Sequence, residues 1–199
     1  VLARKYRPST FSEVVGQEHI LKALENSIEH NKLHQAYNFS RTRGVGKTTI
    51  ARILAKCMNC ESDSKPISTP CNKCSNTIEI SQGRSVDFLE IDAASNNGVD
   101  QIRDVIDISQ YSSLKCKYKV FIIDEAHMLS KAAFNALLKT LEEPSDNTIF
   151  ILATTEVEKI PITISSRCQL INFTNLNLSK IEDLIKKVCD LENIKIDED

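Results

Sequence analysis

Residues Arg43 to Thr49 read Arg-Gly-Val-Gly-Lys-Thr-Thr, between a short apolar stretch (residues 36–39) and a helical pattern. Glycines at 44 and 46 let the main chain curl, so that successive N–H groups face the oxygens of a phosphate. Lys47 then reaches the β and γ phosphates of a nucleotide, and Thr48 can ligate Mg²⁺. A helix opening near Lys47 would add its positive dipole end beneath the anion. One position departs from the usual Gly-x-x-x-x-Gly-Lys-Thr spacing: Arg41 stands where the first glycine belongs. If φ must be positive there, a side chain costs about 1–2 kcal/mol.

Further chemistry-bearing residues follow. Val120-Phe-Ile-Ile-Asp124-Glu125 is an apolar run ending in two carboxylates, the Walker B pattern. Asp124 at the carboxyl end of a strand can hold the metal's water shell, and Glu125 can orient or deprotonate an attacking water. Any buried strand can end in Asp-Glu, but a phosphate loop upstream gives this one a use. Asp-Glu-Ala-His also spells a helicase box, whose companion motifs the chain lacks. Thr154-Thr155 closes another apolar run and is either a solvated strand end or a contact to the γ-phosphate or the lytic water. Arg167, in Ser166-Arg-Cys168, is either a local ion-pair residue or an arginine finger for a neighbour's phosphates. The seven cysteines include Cys57-x₂-Cys60 and Cys71-x₂-Cys74, a zinc-like spacing. Cys57 also continues the apolar helix face of Ile50, Ile53 and Leu54, which would make it a core residue. Cys116, Cys168 and Cys189 read as structural thiols.

The elements that must position these groups alternate in type. Helical spacing covers residues 17–30, the stretch after Lys47, 100–108, 134–141 (stopped by Pro144) and 179–191. Strand patterns cover 36–40, 88–91, 119–124, 148–153 and 170–173, with Asn38 interrupting the first. A Cys/Ser/Pro-rich stretch, 59–77, reads as an insertion. The pattern predicts an α/β fold with a parallel sheet covered on both faces. The 199 residues, 41% hydrophobic, are enough for a packed core, and the net charge of −2 gives no global pull toward nucleic acid. DNA contact is expected to be local and non-specific, from the helix beginning near Asn96-Asn-Gly98 and from Arg103. No apolar run reaches the ~20 residues of a membrane span, so a cytoplasmic location is expected. Val1 and the acidic stretch 196–199 read as cuts in a longer protein.

Together these residues resemble the AAA+ clamp-loader ATPases. The resemblance covers nearly the whole chain and is carried by Arg4-Lys-Tyr-Arg-Pro8, Val14-Val-Gly-Gln17, Thr42-Arg-Gly-Val-Gly-Lys-Thr48, Glu90-Ile-Asp-Ala-Ala94, Phe134-Asn-Ala-Leu-Leu-Lys-Thr-Leu-Glu-Glu-Pro144 and Ser166-Arg-Cys168. It implies a RecA-like AAA+ P-loop module over residues 1–176, with a zinc-knuckle-like insertion at 57–77. The start of a truncated α-helical lid would follow at 177–199. It implies ATP held with Mg²⁺ by Thr42, Arg43, Gly44, Val45, Gly46, Lys47, Thr48, Thr49 and Asp124, with the base cradled by Tyr6, Arg7, Pro8, Val14 and Val15. Lys47 and Glu125 would be catalytic, Thr155 would match the first sensor, and Arg167 would act in trans. It implies a structural Zn²⁺ on Cys60, Cys71 and Cys74, with Thr77 where a fourth cysteine is expected and Cys57 as a substitute. Its partners would be δ and δ′ subunits, further copies of its own kind, and a sliding clamp placed on primed DNA. Arg41 and Asn38 depart from the family pattern. They favour an alternative role, a structural subunit with a degenerate ATP site that lends its finger to a neighbour.

Overall fold

The computed structural model of the chain describes residues 2–195; Val1 and the acidic stretch 196–199, with the outer ends of the two expected domains, lie outside the described residues. A short helix α1 (Leu2–Lys5) and α2 (Glu18–Glu29) precede the first strand, β1 (Ala36–Ser40). The order then runs α3 (Lys47–Asn59), α4 (Ser75–Gln82), β2 (Phe88–Asp92), α5 (Val99–Ser109), β3 (Lys119–Asp124), α6 (Lys131–Glu142), β4 (Thr148–Thr154), α7 (Ile162–Ser165), β5 (Gln169–Asn172) and α8 (Leu178–Glu192). All strand pairings are parallel, in the order β2-β3-β4-β1-β5.

Apolar residues on β3 and β4 alternate between two helix layers. Val120, Ile122, Ile149 and Ile151 join a core with Leu24 and Ile28 of α2 and Ile50, Ile53 and Leu54 of α3. Phe121, Ile123, Phe150 and Leu152 join a second core with Ile102 of α5 and Phe134, Leu137 and Leu141 of α6. A sheet buried on both faces needs apolar runs without alternation, which is what β3 and β4 supply. Helix α6 starts where Ser130 accepts a hydrogen bond from the Ala133 amide at 3.1 Å, and it stops two residues before Pro144.

Register brings the strand ends together. Ser40 pairs with Thr154 and with Asn172, and Asp92 with Asp124. The carboxyl ends of β1 to β4 therefore share one edge, and β1 lies where the chain order reverses, the position at which open α/β sheets bind ligands.

Two expectations need correction. The stretch expected as an insertion, 59–77, runs into helix α4: Ser75 to Gln82 carries only two aliphatic residues, too few for a helical pattern, and burial of Asn76, Thr77 and Ile80 against α3 selects the helix. Cys57 lies on α3 inside the core, 0% exposed, rather than with the other thiols. No helix among the described residues is long and apolar enough to cross a membrane.

Asn38 is fully buried in β1, in register between Leu152 and Leu170, and neither its amide nitrogen nor its oxygen has a hydrogen-bond partner. Leucine has nearly the same shape. Asn38→Leu should therefore raise stability by about 1–3 kcal/mol, read as a higher urea midpoint at unchanged slope. An unchanged midpoint would show that the amide costs nothing where it lies.

Candidate functional site

The loop after β1 curls as its glycines allow. Gly44 has φ +82° and Gly46 φ +93°, with nothing within 4 Å of where a Cβ would stand, so backbone conformation and not space is what demands glycine. Arg41 has φ +151°, in the region that disfavours side chains, and its amide donates to the Thr154 carbonyl at 3.1 Å. The strain anticipated at this position is present. The side chain, however, turns away from the loop's hollow: Arg41 Nε lies 3.4 Å from Asn175 Oδ1, which also accepts from Thr42 Oγ1 at 3.0 Å.

Lys47 opens α3 and is 8% exposed. Its ammonium donates to the carbonyls of Arg41 at 2.5 Å and Thr42 at 3.0 Å. Burial lowers its pKa, while Asp124 and Glu125 act in the opposite sense. Asp124, half-buried at the end of β3, has its pKa raised by burial, against the donated Glu125 amide. These groups face a cavity of about 530 Å³ that Arg43, Gly44, Gly46, Thr48, Thr49 and Asp92 also line. Sequence reasoning named each of these except Asp92. Its place at the carboxyl end of β2, beside Asp124, was the available signal.

Glu125 sits just beyond β3 with φ +50° and ψ +43°, a left-handed conformation that aims its carboxylate across the sheet edge. It accepts from Arg43 Nε at 3.0 Å and from Thr155 Oγ1 at 3.2 Å. Of the two threonines at the end of β4 and just beyond it, Thr155 therefore faces the Glu125 carboxylate. Thr154 is buried and meets His127 Nδ1 at 2.9 Å. His127, missed from sequence, is 7% exposed at its side chain and packs between Glu125 (3.6 Å) and Glu156 (3.2 Å).

A second cavity, about 440 Å³, adjoins the first and shares Arg7, Gly44, Gly46 and Thr49 with it. One wall is Tyr6, Pro8, Val14 and Val15, the residues that the resemblance assigns to a base; the other is Leu176, Val188 and Leu191, which sequence reasoning did not foresee. Tyr6 Oη donates to Glu192 at 2.6 Å, tying the N-terminal segment to the end of α8. Gly16, φ +77°, lets the backbone pass against Leu176, which a Cβ would strike.

Arg167 is not part of this constellation. It lies beside His34, Gln35 and Ala36, at the amino end of β1, and pairs with Glu142 of α6. Arg103 on α5 is in an exposed pair with Asp100 at 3.3 Å, a contact weak enough to yield to a phosphate.

The cysteines divide. The sulfur atoms of Cys60, Cys71 and Cys74 lie within 4.8 Å of one another. Backbone amides point at them: Cys71 N at Cys60 (3.4 Å), Glu61 N at Cys74 (3.5 Å), and Lys73 N and Cys74 N at Cys71 (3.4 and 3.3 Å). The two amides on Cys71 lower its thiol to about 6. Burial instead pushes Cys57 up to about 12, and its sulfur meets only the Ser68 carbonyl, at 3.5 Å. Cys57 is thus a core thiol.

The profile of a family described as "DNA polymerase III, delta subunit" matches residues 16–177. The chain is 52% identical over 194 residues to DNA polymerase III subunit tau of Escherichia coli, covering 98% of this chain and 30% of that protein. It is 51% identical to the tau subunit of Bacillus subtilis over 99% of its length and 35% of the relative's. With the gamma subunit of Buchnera aphidicola from Schizaphis graminum the figures are 48%, 100% and 54%. The chain thus spans about a third of the tau relatives and about half of the gamma relative. In fold it is similar to the Holliday junction branch migration motor RuvB of Thermotoga maritima (TM-score 0.69, 18% identity, 96% of this chain and 56% of that one). It is also similar to a DNA polymerase III gamma subunit-related protein of the same organism (TM-score 0.54, 23% identity, 84% and 49%).

Proposed function

The chain belongs to the DNA polymerase III subunit family just described, matching its tau and gamma members over nearly its whole length, and from that premise we propose that it is the ATP-binding and hydrolysing part of a clamp-loader subunit. The observation that carries this reading is the convergence of buried Lys47 with half-buried Asp124 and Glu125 on one cavity below a loop curled by Gly44 and Gly46. The curled amides and Lys47 would grip the phosphates, and the apolar second cavity would take the base. The hydroxyl of Thr48 and the carboxylate of Asp124 would hold Mg²⁺, which when bound neutralises charge on the phosphates. Glu125, held between Arg43 and Thr155, takes the proton of the attacking water.

Hydrolysis would drive opening of a sliding clamp and its placement on primed DNA, in a cytoplasmic assembly with δ, δ′ and further gamma/tau copies. The three clustered thiols, with amides already aimed at sulfur, suit a thiophilic divalent ion, which supports a structural Zn²⁺.

The strained φ of Arg41 favours a second reading, a subunit that keeps the fold and finger but does not hydrolyse. Against it, the Arg41 side chain leaves the cavity free. One experiment separates the two. In the reassembled complex the wild-type chain should hydrolyse ATP, and Glu125→Gln should bind ATP normally but turn over about 10²–10⁴-fold more slowly. Equal rates for the two forms would leave only the non-hydrolysing role.

A further inference from the structure

Resting on the structural-metal reading above, we infer that Thr77 supplies the fourth donor of the thiol cluster, so that a thiophilic divalent cation is held by three thiolates and one hydroxyl. Thr77 Oγ1 lies 3.2 Å from Cys74 Sγ and 4.0 Å from Cys71 Sγ. In a tetrahedral site with metal–sulfur and metal–oxygen bonds of about 2.3 and 2.1 Å, the sulfur–oxygen edge is about 3.6 Å. The two observed edges bracket that value.

The hydroxyl is also correctly oriented. It donates its proton to the Cys74 carbonyl at 3.0 Å, which leaves its lone pairs for the thiol side. Thr77 is 0% exposed and fixed in the first turn of α4, so no side-chain ordering is needed on binding. Its rival, Ser62, is exposed and touches Cys60 alone, at 3.1 Å. Cys57 is excluded by its place in the core.

A neutral oxygen in place of a thiolate removes one negative charge from the centre and weakens the fourth bond. This chain should therefore hold the ion less tightly than a four-thiolate site would.

Cobalt(II) replaces zinc in such sites and reports its donors by visible absorption. The full chain, its Thr77→Val, Thr77→Cys and Ser62→Ala variants would each be titrated with Co²⁺ and then competed with Zn²⁺. The wild type should show tetrahedral bands with three-thiolate intensity. Thr77→Cys should raise the thiolate charge-transfer absorption by about one third, for one thiolate added to three, and tighten zinc binding. Thr77→Val should weaken zinc binding by about 10-fold or more, since losing even an outer-shell partner costs 10–100-fold; Ser62→Ala should change neither. Bands and affinity unchanged in Thr77→Val, or altered in Ser62→Ala instead, overturn the assignment. No metal bound by the wild type or by Thr77→Cys, both folded by circular dichroism, refutes the metal reading itself. Binding by Thr77→Cys alone would show that the hydroxyl is no donor.

Discussion

Arg167→Ala leaves MgATP binding by this chain unchanged and slows hydrolysis in the reassembled complex by about 10³–10⁵-fold, the span measured for arginine fingers. The expectation comes from where the fold puts the residue. Arg167 neighbours His34 to Ala36 at the amino end of β1, and the phosphate loop follows the carboxyl end. A five-residue strand separates them, about 16 Å at 3.3 Å per residue, beyond the reach of an arginine into its own cavity. A guanidinium there can meet a phosphate only on another subunit. Its pairing with Glu142 is partly exposed, so removing it costs the fold at most about 1 kcal/mol. A loss of rate therefore reports chemistry and not unfolding. Loss of ATP binding by the isolated chain would show that Arg167 acts on its own site.

Lys47→Ala should weaken MgATP binding by roughly 10²-fold or more, measured by equilibrium dialysis with labelled nucleotide. Lys47 now donates to two loop carbonyls, and the same donors would turn to phosphate oxygens. Two charge-assisted hydrogen bonds at about 1.5 kcal/mol each, the low end of their range, already give that factor. Burial lowers the Lys47 pKa by favouring the neutral amine, and a bound triphosphate restores the preference for the charged form. Lys47→Arg tests the geometry, since a planar fork does not replace a compact ammonium between the curled amides. Unchanged dialysis for Lys47→Ala would refute the phosphate-loop assignment and with it the ATPase reading.

The sequence alone determined the class of fold and pointed to a phosphate-binding loop. The uninterrupted apolar runs of β3 and β4 can be buried only in a sheet covered on both faces, and a glycine-curled loop ending in Lys-Thr has few uses besides gripping phosphate. These signals lie within single segments, where spacing maps directly onto backbone geometry. Groups assembled across the chain were decided by the tertiary structure. Spacing paired Cys57 with Cys60, but helical geometry turns one inward to the core and leaves the other at its end, beside Cys71 and Cys74. Thr154 and Thr155 are adjacent in sequence, yet Thr154 is the last residue of β4, buried against His127, and Thr155, just beyond the strand end, is the one whose hydroxyl meets Glu125. Arg41 carried the cost that its position announced, while the direction of its side chain depended on Asn175, far along the chain. Sequence spacing thus specifies what one helix, strand or loop can present, and packing between elements specifies which of those groups meet.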